Sequence, residues 1–377
     1  MDPLNLNMSQ RPPVRLISPS LPPLAEVHKH LEEIWHTGIL SNNGPVLKAF
    51  EAALCDYLDV EHVSVVANAM LGSVVALQHM AQGGEVITTP FSFVASGNAI
   101  HFAGCTPVFA DIDPETLSLD PALVERQITP RTSAIFAVHV FGIPGNLTAL
   151  AEVAARHKIP LIYDAAHAFG VKVDGKSIFQ SGDASIVSFH ATKVFNTFEG
   201  GAVISPSRKM KITIDQLCDH GIVDETNIPF VGLNAKMSEL HAAVGLAQLP
   251  YVDGDISARA EVAGRYWKQL ENVKGIRCLV PPGVQGHNHY AFPILVEPSY
   301  SKTRDALHIF MDKNMVTTRR YFFPLISDLP AFSDLASAQP GSLPVARRIS
   351  DQILCLPFYP GLDPDDQQRV IDLISKG

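Results

Sequence analysis

An α/β fold with a mostly parallel sheet covered by helices on both faces is what this sequence predicts, and three observations carry the expectation. Short apolar, β-rich runs recur at 63–67, 85–89, 107–111, 134–140, 160–164 and 184–189. Between them, 71–80, 94–102, 121–127 and 147–157 carry apolar residues at three- and four-residue spacing, as crossover helices between parallel strands do. After Leu249-Pro250 the pattern changes: a long helical stretch at 257–273, a strand-like 291–296, a helix near 303–314 and an apolar, proline-bounded 355–360. The last reads as an edge strand or loop, since proline is confined to such places. The division expected is a large domain at 1–250 and a smaller C-terminal α+β domain at 251–377.

Bulk properties agree with a globular chain of that size. Of 377 residues, 46% are hydrophobic and 18% charged, enough for a sizeable buried centre and too apolar for disorder. The formal net charge of −9 comes without clustered Lys and Arg, which argues against a nucleic-acid surface. The five cysteines are far apart and include no C-x-x-C pair, so neither a disulfide framework nor a zinc site is indicated. Residues 1–13 are polar and proline-bearing, and no run approaches the ~18 apolar residues of a membrane span. A cytoplasmic protein with no membrane partner is the expectation.

The residues with chemical potential concentrate where strands end, the place at which open parallel sheets bind ligands. Ser188-Phe189-His190-Ala191-Thr192-Lys193, running into Glu199-Gly200-Gly201, sets a lysine beside a strand end, a hydroxyl and a glycine turn. Those are the parts that hold an aldehyde cofactor such as pyridoxal phosphate. A lone lysine is far more often a solvated surface charge, but this one stands among Phe189, Ala191, Val194 and Phe195. Lost hydration in such a setting lowers the ammonium pKa and frees the amine to attack a carbonyl. Asp164 ends an apolar strand, where an unpaired carboxylate is costly; a protonated pyridine nitrogen would partner it, as would a metal or a helix start. No cluster of carboxylates or histidines supports the metal.

The turn 68–73 lies between a strand and a helix, where the amides of Ala69 and Met70 suit a phosphate; Ser188 offers a hydroxyl. Each also fits an ordinary role as turn or cap. Phe93 and Ala166 are candidates for the two faces of a cofactor ring, against a default place in the core. His167 and His190 are either satisfied structural histidines or hydrogen-bond partners of cofactor or substrate oxygens.

These residues, in this order, resemble the DegT/DnrJ-type sugar aminotransferases, which belong to the aspartate-aminotransferase fold group of pyridoxal phosphate enzymes. The resemblance covers nearly the whole chain. It includes Gly38-Ile39-Leu40-Ser41-Asn42-Asn43-Gly44-Pro45, the segment 90–93, Asp164-Ala165-Ala166-His167, 188–193, and Gly232-Leu233-Asn234-Ala235-Lys236-Met237-Ser238-Glu239. Arg320-Tyr321-Phe322-Phe323-Pro324-Leu325 and 354–360 are similar to that family's small domain.

The resemblance implies a seven-stranded sheet of the PLP transferase fold type I, with segment 1–40 packing on the small domain. It implies pyridoxal 5′-phosphate on the catalytic Lys193, with cofactor contacts from Ala69, Met70, Phe93, Asp164, Ala166, His167 and Ser188. Asn234 of the partner subunit completes the set in a homodimer with shared sites, and Asn43, His190 and Tyr321 are candidates to touch substrate. Met70 departs from the family, which usually has a small hydroxyl residue there, so phosphate binding would rely on backbone amides and Ser188. Dehydratase members replace the lysine, so its retention here favours transamination.

The reaction implied is amination of a nucleotide-linked 4-keto-6-deoxyhexose, in its dTDP form, with glutamate as amino donor, for surface glycans such as lipopolysaccharide O-antigen. Lys193 is expected to hold the cofactor, to be displaced by the donor, and then to shuttle the proton. Amination at C3 of a 3-keto isomer is the nearest competitor, and a regulatory or sensing protein that keeps the fold without turnover is the alternative of another class. A nucleotide-dependent oxidoreductase is disfavoured because the first strand-to-helix turn has no G-x-G-x-x-G.

Overall fold

The computed structural model describes residues 12–376 apart from 281, 282 and 340. The polar opening read at 1–13 therefore lies, except for its last two residues, outside the described range. The strands that follow are β1 (Val63–Val66), β2 (Glu85–Thr88), β3 (Thr106–Phe109), β4 (Thr132–Val138), β5 (Leu161–Asp164), a small ribbon of β6 (Lys172–Val173) and β7 (Lys176–Ser177), β8 (Ala184–Ser188) and β9 (Gly201–Ile204). All but the ribbon join in one sheet of seven strands, ordered β1-β9-β8-β5-β4-β2-β3. Neighbours are parallel except around β9, which runs antiparallel to both β1 and β8.

Six of these strands coincide with the apolar runs read from sequence. The run 134–140 ends early, at Val138, because Val140 already belongs to a 3-10 turn. The seventh strand, β9, follows a double glycine, a signal that reads locally as a turn; its ladder with β1 and β8 overrides that signal.

The helices of this region are α1 (Leu24–Thr37), α2 (Pro45–Leu58), α3 (Ala69–Met80), α4 (Ala95–Phe102), α5 (Pro121–Gln127), α6 (Leu147–His157), α7 (Arg208–Cys218) and α8 (Glu239–Gln248). They cover both faces, and strand alternation sorts the core between them. Ala202 and Ile204 of β9 join Phe50 and Leu54 of α2 and Ala243 of α8 on one face; Val203 joins Val75 of α3 and Ile214 of α7 on the other. Strands buried on both faces need apolar residues throughout, and β1, β2, β8 and β9 are buried at every position.

Beyond residue 250, α9 (Val252–Leu270) starts before the expected 257, directly after a 3-10 turn containing Pro250. Then come β10 (Ile276–Cys278), β11 (Phe292–Val296), α10 (Arg304–Lys313), α11 (Pro344–Gln352), β12 (Ile353–Leu356) and α12 (Pro364–Ser375). The three strands form an antiparallel sheet with β12 at its edge, packed on α9, α10 and α12 through Tyr266, Leu307, Met311 and Ile371. The segment expected at 1–40 on the small domain divides over its described part, 12–40: Val14 pairs with Val316 and is buried in this second core, whereas α1 packs against α8.

Candidate active site

At the carboxyl ends of β5 and β8, beside the start of α3, the chain encloses a cavity of about 430 Å³. Every site residue singled out from the sequence lines it except Asn43 and Asn234: Ala69, Met70, Phe93, Asp164, Ala166, His167, Ser188, His190, Lys193 and Tyr321 converge there. Asn43 is exposed elsewhere, and Asn234, also exposed, lies on a backbone bridge to Asp219. Ser73, Ser92, Tyr290, Arg319 and Phe322 also line the cavity and were not singled out from the sequence. Ser92 and Ser96 lie one helical turn apart in a segment already marked by Phe93, which is a readable signal; Tyr290 carries none.

The start of α3 is built by Asn68. Its backbone is extended (φ −165°) and its side chain accepts from the amide of Leu71 at 3.0 Å, satisfying one of the unpaired first-turn donors. Among the described residues no acceptor meets the amides of Ala69 and Met70, so the positive end of the helix is left for an anion. Gly201 of β9 permits the close approach of strand and helix: a Cβ there would stand 2.7 Å from the Ala69 amide nitrogen and 2.7 Å from the Val187 carbonyl oxygen. Ser188 lines the same cavity at the end of β8, and its hydroxyl accepts from the His190 amide at 3.4 Å.

Asp164 is held by neutral donors alone. Oδ2 accepts from Ser96 Oγ at 2.9 Å and Oδ1 from the Ala166 amide at 3.1 Å, while Ser96 in turn pairs with Ser92 at 2.9 Å. Burial pushes this carboxyl upward, and the Ala166 amide, the Ser96 hydroxyl and the Lys193 charge pull it back. A buried carboxylate with no ion-pair partner among the described residues calls for a cationic ligand group in the cavity.

The Lys193 amine lies 5.0 Å above the Tyr290 ring. Burial brings it down to about 8 against the smaller opposing pull of Asp164. The aromatic neighbours that marked this lysine in the sequence do not wrap its amine. Phe189 and Phe195 turn away to pack on Phe169 at 5.9 and 4.5 Å and fix the backbone from behind. The desolvation comes instead from the cavity walls, which long-range packing supplies.

His167 is fully specified. Its Nδ1 accepts from the Phe141 amide at 3.1 Å, burial and the nearby Lys193 charge hold it well below its ordinary pKa, and Tyr290 stacks on it at 4.1 Å. The neutral ring therefore carries its proton on Nε2. Buried Asn288 ties this wall together: its amide donates to the carbonyls of His167 (2.8 Å) and Phe169 (3.0 Å), and its oxygen accepts from the Tyr290 amide (3.1 Å). Of the two aromatics after Pro90, Phe91 is core and packs edge-on against Phe322 at 5.6 Å; Phe93 stays 56% exposed at the cavity rim. His190 is at the mouth, where its Nδ1 meets Thr192 Oγ1 at 2.9 Å. Among the described residues no group of three or more His, Cys, Asp or Glu is placed to hold a metal ion.

A desolvated amine, a buried carboxylate and a helix start with free amides, all facing one cavity at the strand ends, define an enzyme built around a phosphorylated aldehyde cofactor with a basic ring nitrogen. Pyridoxal phosphate fits this donor set, since among the described residues the counterpart of each of its polar ends has no ion-pair partner in the protein. The chain belongs to the DegT/DnrJ/EryC1/StrS aminotransferase family, which it matches over residues 24–375. It is 42% identical over 364 residues to a dTDP-4-amino-4,6-dideoxy-D-glucose transaminase of Shigella dysenteriae, covering 97% of this chain and 99% of that one. An enzyme of the same description from Escherichia coli is 40% identical, with 96% and 98% covered. The crystal structure of DesI in the presence of its TDP-sugar product matches with a TM-score of 0.90 and 34% identity, covering 97% of this chain and 93% of that one. The protein is an aminotransferase, and its cofactor is pyridoxal 5′-phosphate. No helix among the described residues is long and apolar enough to cross a membrane.

Proposed function

We propose that the protein transfers an amino group from glutamate to dTDP-4-keto-6-deoxyglucose, giving dTDP-4-amino-4,6-dideoxyglucose for a surface glycan such as O-antigen. The observation that carries this is the match, end to end at 42% identity, to a transaminase of that product, together with a retained Lys193 in the cavity. Residues 1–250 would hold the cofactor and 251–377 would close the substrate side, in a cytoplasmic homodimer.

In this reading Lys193 carries the cofactor and Asp164 faces its ring nitrogen. The amides of Ala69 and Met70, with Ser188, hold the phosphate; Phe93 and Ala166 flank the ring, and His167 donates from Nε2 to a cofactor oxygen. Asn234 of the partner subunit adds a phosphate contact, and Asn43, His190 and Tyr321 touch the sugar. Bound pyridoxal phosphate supplies an electron-withdrawing ring that accepts the electrons released when a C–H bond at the amino-bearing carbon ionises. Asp164 keeps its charge through the Ser96 and Ala166 hydrogen bonds and so maintains that withdrawal. Lys193, its pKa brought down by burial to about 8, takes the proton at Nζ and returns it, which a lysine at its ordinary pKa would do poorly at pH 7. Tyr290 and the His167 wall exclude water from the amine.

Purified protein incubated with pyridoxal phosphate, glutamate and a panel of nucleotide-linked 4-keto and 3-keto sugars is expected to release 2-oxoglutarate and a 4-amino sugar, identified by mass and NMR. Product only from a 3-keto isomer would move the amination to C3, and no product from any of them would remove the reading.

A further inference from the structure

Arg319 and Arg320 are consecutive, yet the structure uses them in opposite ways. The segment is extended and bonded to β12 through Cys355, with the Arg319 amide donating to the Cys355 carbonyl at 3.1 Å and the return bond at 2.7 Å. In extended backbone, neighbouring side chains leave on opposite sides and residues two apart share a side. Arg320 leaves on the other side of the segment, where, half-buried, it pairs with Asp305 at 2.9 Å and lies over Phe323 at 5.0 Å. Arg319 turns with Tyr321 into the active-site cavity, its guanidinium 5.3 Å over the Tyr321 ring.

No carboxylate among the described residues stands within ion-pair distance of Arg319. Among the described residues the only other lysine or arginine that lines the cavity is Lys193, which the cofactor engages. A solvent-reachable guanidinium held over an aromatic ring, lining a concave site and without an anion of its own, is poised to take one from a ligand.

We infer that Arg319 binds the oxyanion of the incoming substrate. This rests on the proposed reaction, in which every substrate arrives with such a group: carboxylates on the amino donor, a diphosphate on the nucleotide sugar. The planar fork suits either by two parallel N–H···O bonds, and its contact with the Tyr321 ring holds the guanidinium at the cavity before the ligand arrives.

The test uses the holoenzyme with Arg319→Met, which keeps the packing stem without the charge, and Arg319→Lys, which keeps the charge. Binding of dTDP and of glutarate is measured by calorimetry, beside the KM values for both substrates and the cofactor absorbance. Arg319→Met should weaken at least one probe by about ten-fold or more, with Arg319→Lys recovering part of the loss and the cofactor spectrum unchanged in both. A loss confined to dTDP assigns the diphosphate, one confined to glutarate assigns the donor carboxylate, and a loss of both makes the anchor common to the two half-reactions. Both affinities within about two-fold of the parent in Arg319→Met would overturn the inference. So would a loss that Arg319→Lys fails to recover and that comes with a changed cofactor spectrum, since that marks a packing role. Should the parent enzyme aminate no sugar, the proposed reaction falls while the two probes still judge Arg319.

Discussion

At the residue scale the site turns on one lysine whose charge is made expensive. Burial lowers Lys193 from an ordinary 10.5 to about 8, and Asp164 opposes that shift without cancelling it. The direction sets a pH dependence. A depressed pKa means that the nucleophilic neutral amine is half populated near pH 8 and about one-tenth populated at pH 7, where an exposed lysine would hold well under one-hundredth. Capture of pyridoxal phosphate by the apoprotein, followed by its absorbance change in stopped flow, should therefore quicken with rising pH and level off above pH 8. A rate still climbing tenfold per pH unit beyond pH 9 would mean that the amine is not desolvated. Lys193 and Asp164 were legible because each is a charged residue at the end of an apolar run. Tyr290 and Arg319 were not, because what makes them functional is what each faces across the cavity.

At the element scale the decisive junction is β1–α3 against β9. Asn68 caps α3 and leaves the amides of Ala69 and Met70 open, and Gly201 lets β9 pass directly behind that first turn. A methyl group at Gly201 would strike backbone atoms on two sides, neither of which can rotate away. Gly201→Ala should therefore destabilise the protein by about 1–3 kcal/mol in urea unfolding and raise the cofactor Kd. An unchanged denaturation midpoint and Kd would show that the turn has room to give. The parallel strands and their crossover helices were readable because period-2 and period-3.6 patterns are local. β9 was not, since a four-residue strand after two glycines has too little pattern of its own and exists through pairing with β1 and β8.

At the scale of the whole molecule, two sheets meet across a shared apolar cluster in which Phe91, Phe109 and Phe141 pack with Phe322, Leu325 and Ile353, and the cavity opens beside this seam. Much apolar surface stays uncovered nearby in sequence to the site residues: Trp35 is 77% exposed, Leu40 65% and Val231 90%. Exposed apolar residues mark an association surface where they are contiguous. Asn234 is not among the residues that line the active-site cavity of its own chain. If sites are shared, Lys193→Ala and Asn234→Leu chains, each inactive alone, should recover about a quarter of parental activity when unfolded together and refolded as a mixture. Half of the dimers would then be mixed, with one intact site in each. No recovery, with mixed dimers confirmed by mass, would place Asn234 in the service of its own subunit or of none.

The sequence by itself determined six strands of the large sheet, the crossover helices between the parallel ones, the strand ends at which chemistry falls, and the candidacy of Lys193, Asp164, Ser188 and the helix start at 69–70. Those are matters of local periodicity, capping and the cost of a charge beside apolar neighbours, which act within a few residues. Only the tertiary structure decided that β9 inserts antiparallel between β1 and β8, that Ser96 rather than a cation holds Asp164, and that the Phe141 amide selects the His167 tautomer. It also decided that, of two adjacent arginines, Arg319 faces the cavity. Each of these depends on atoms brought together from distant parts of the chain, and no pattern along the chain encodes which distant group will be the neighbour.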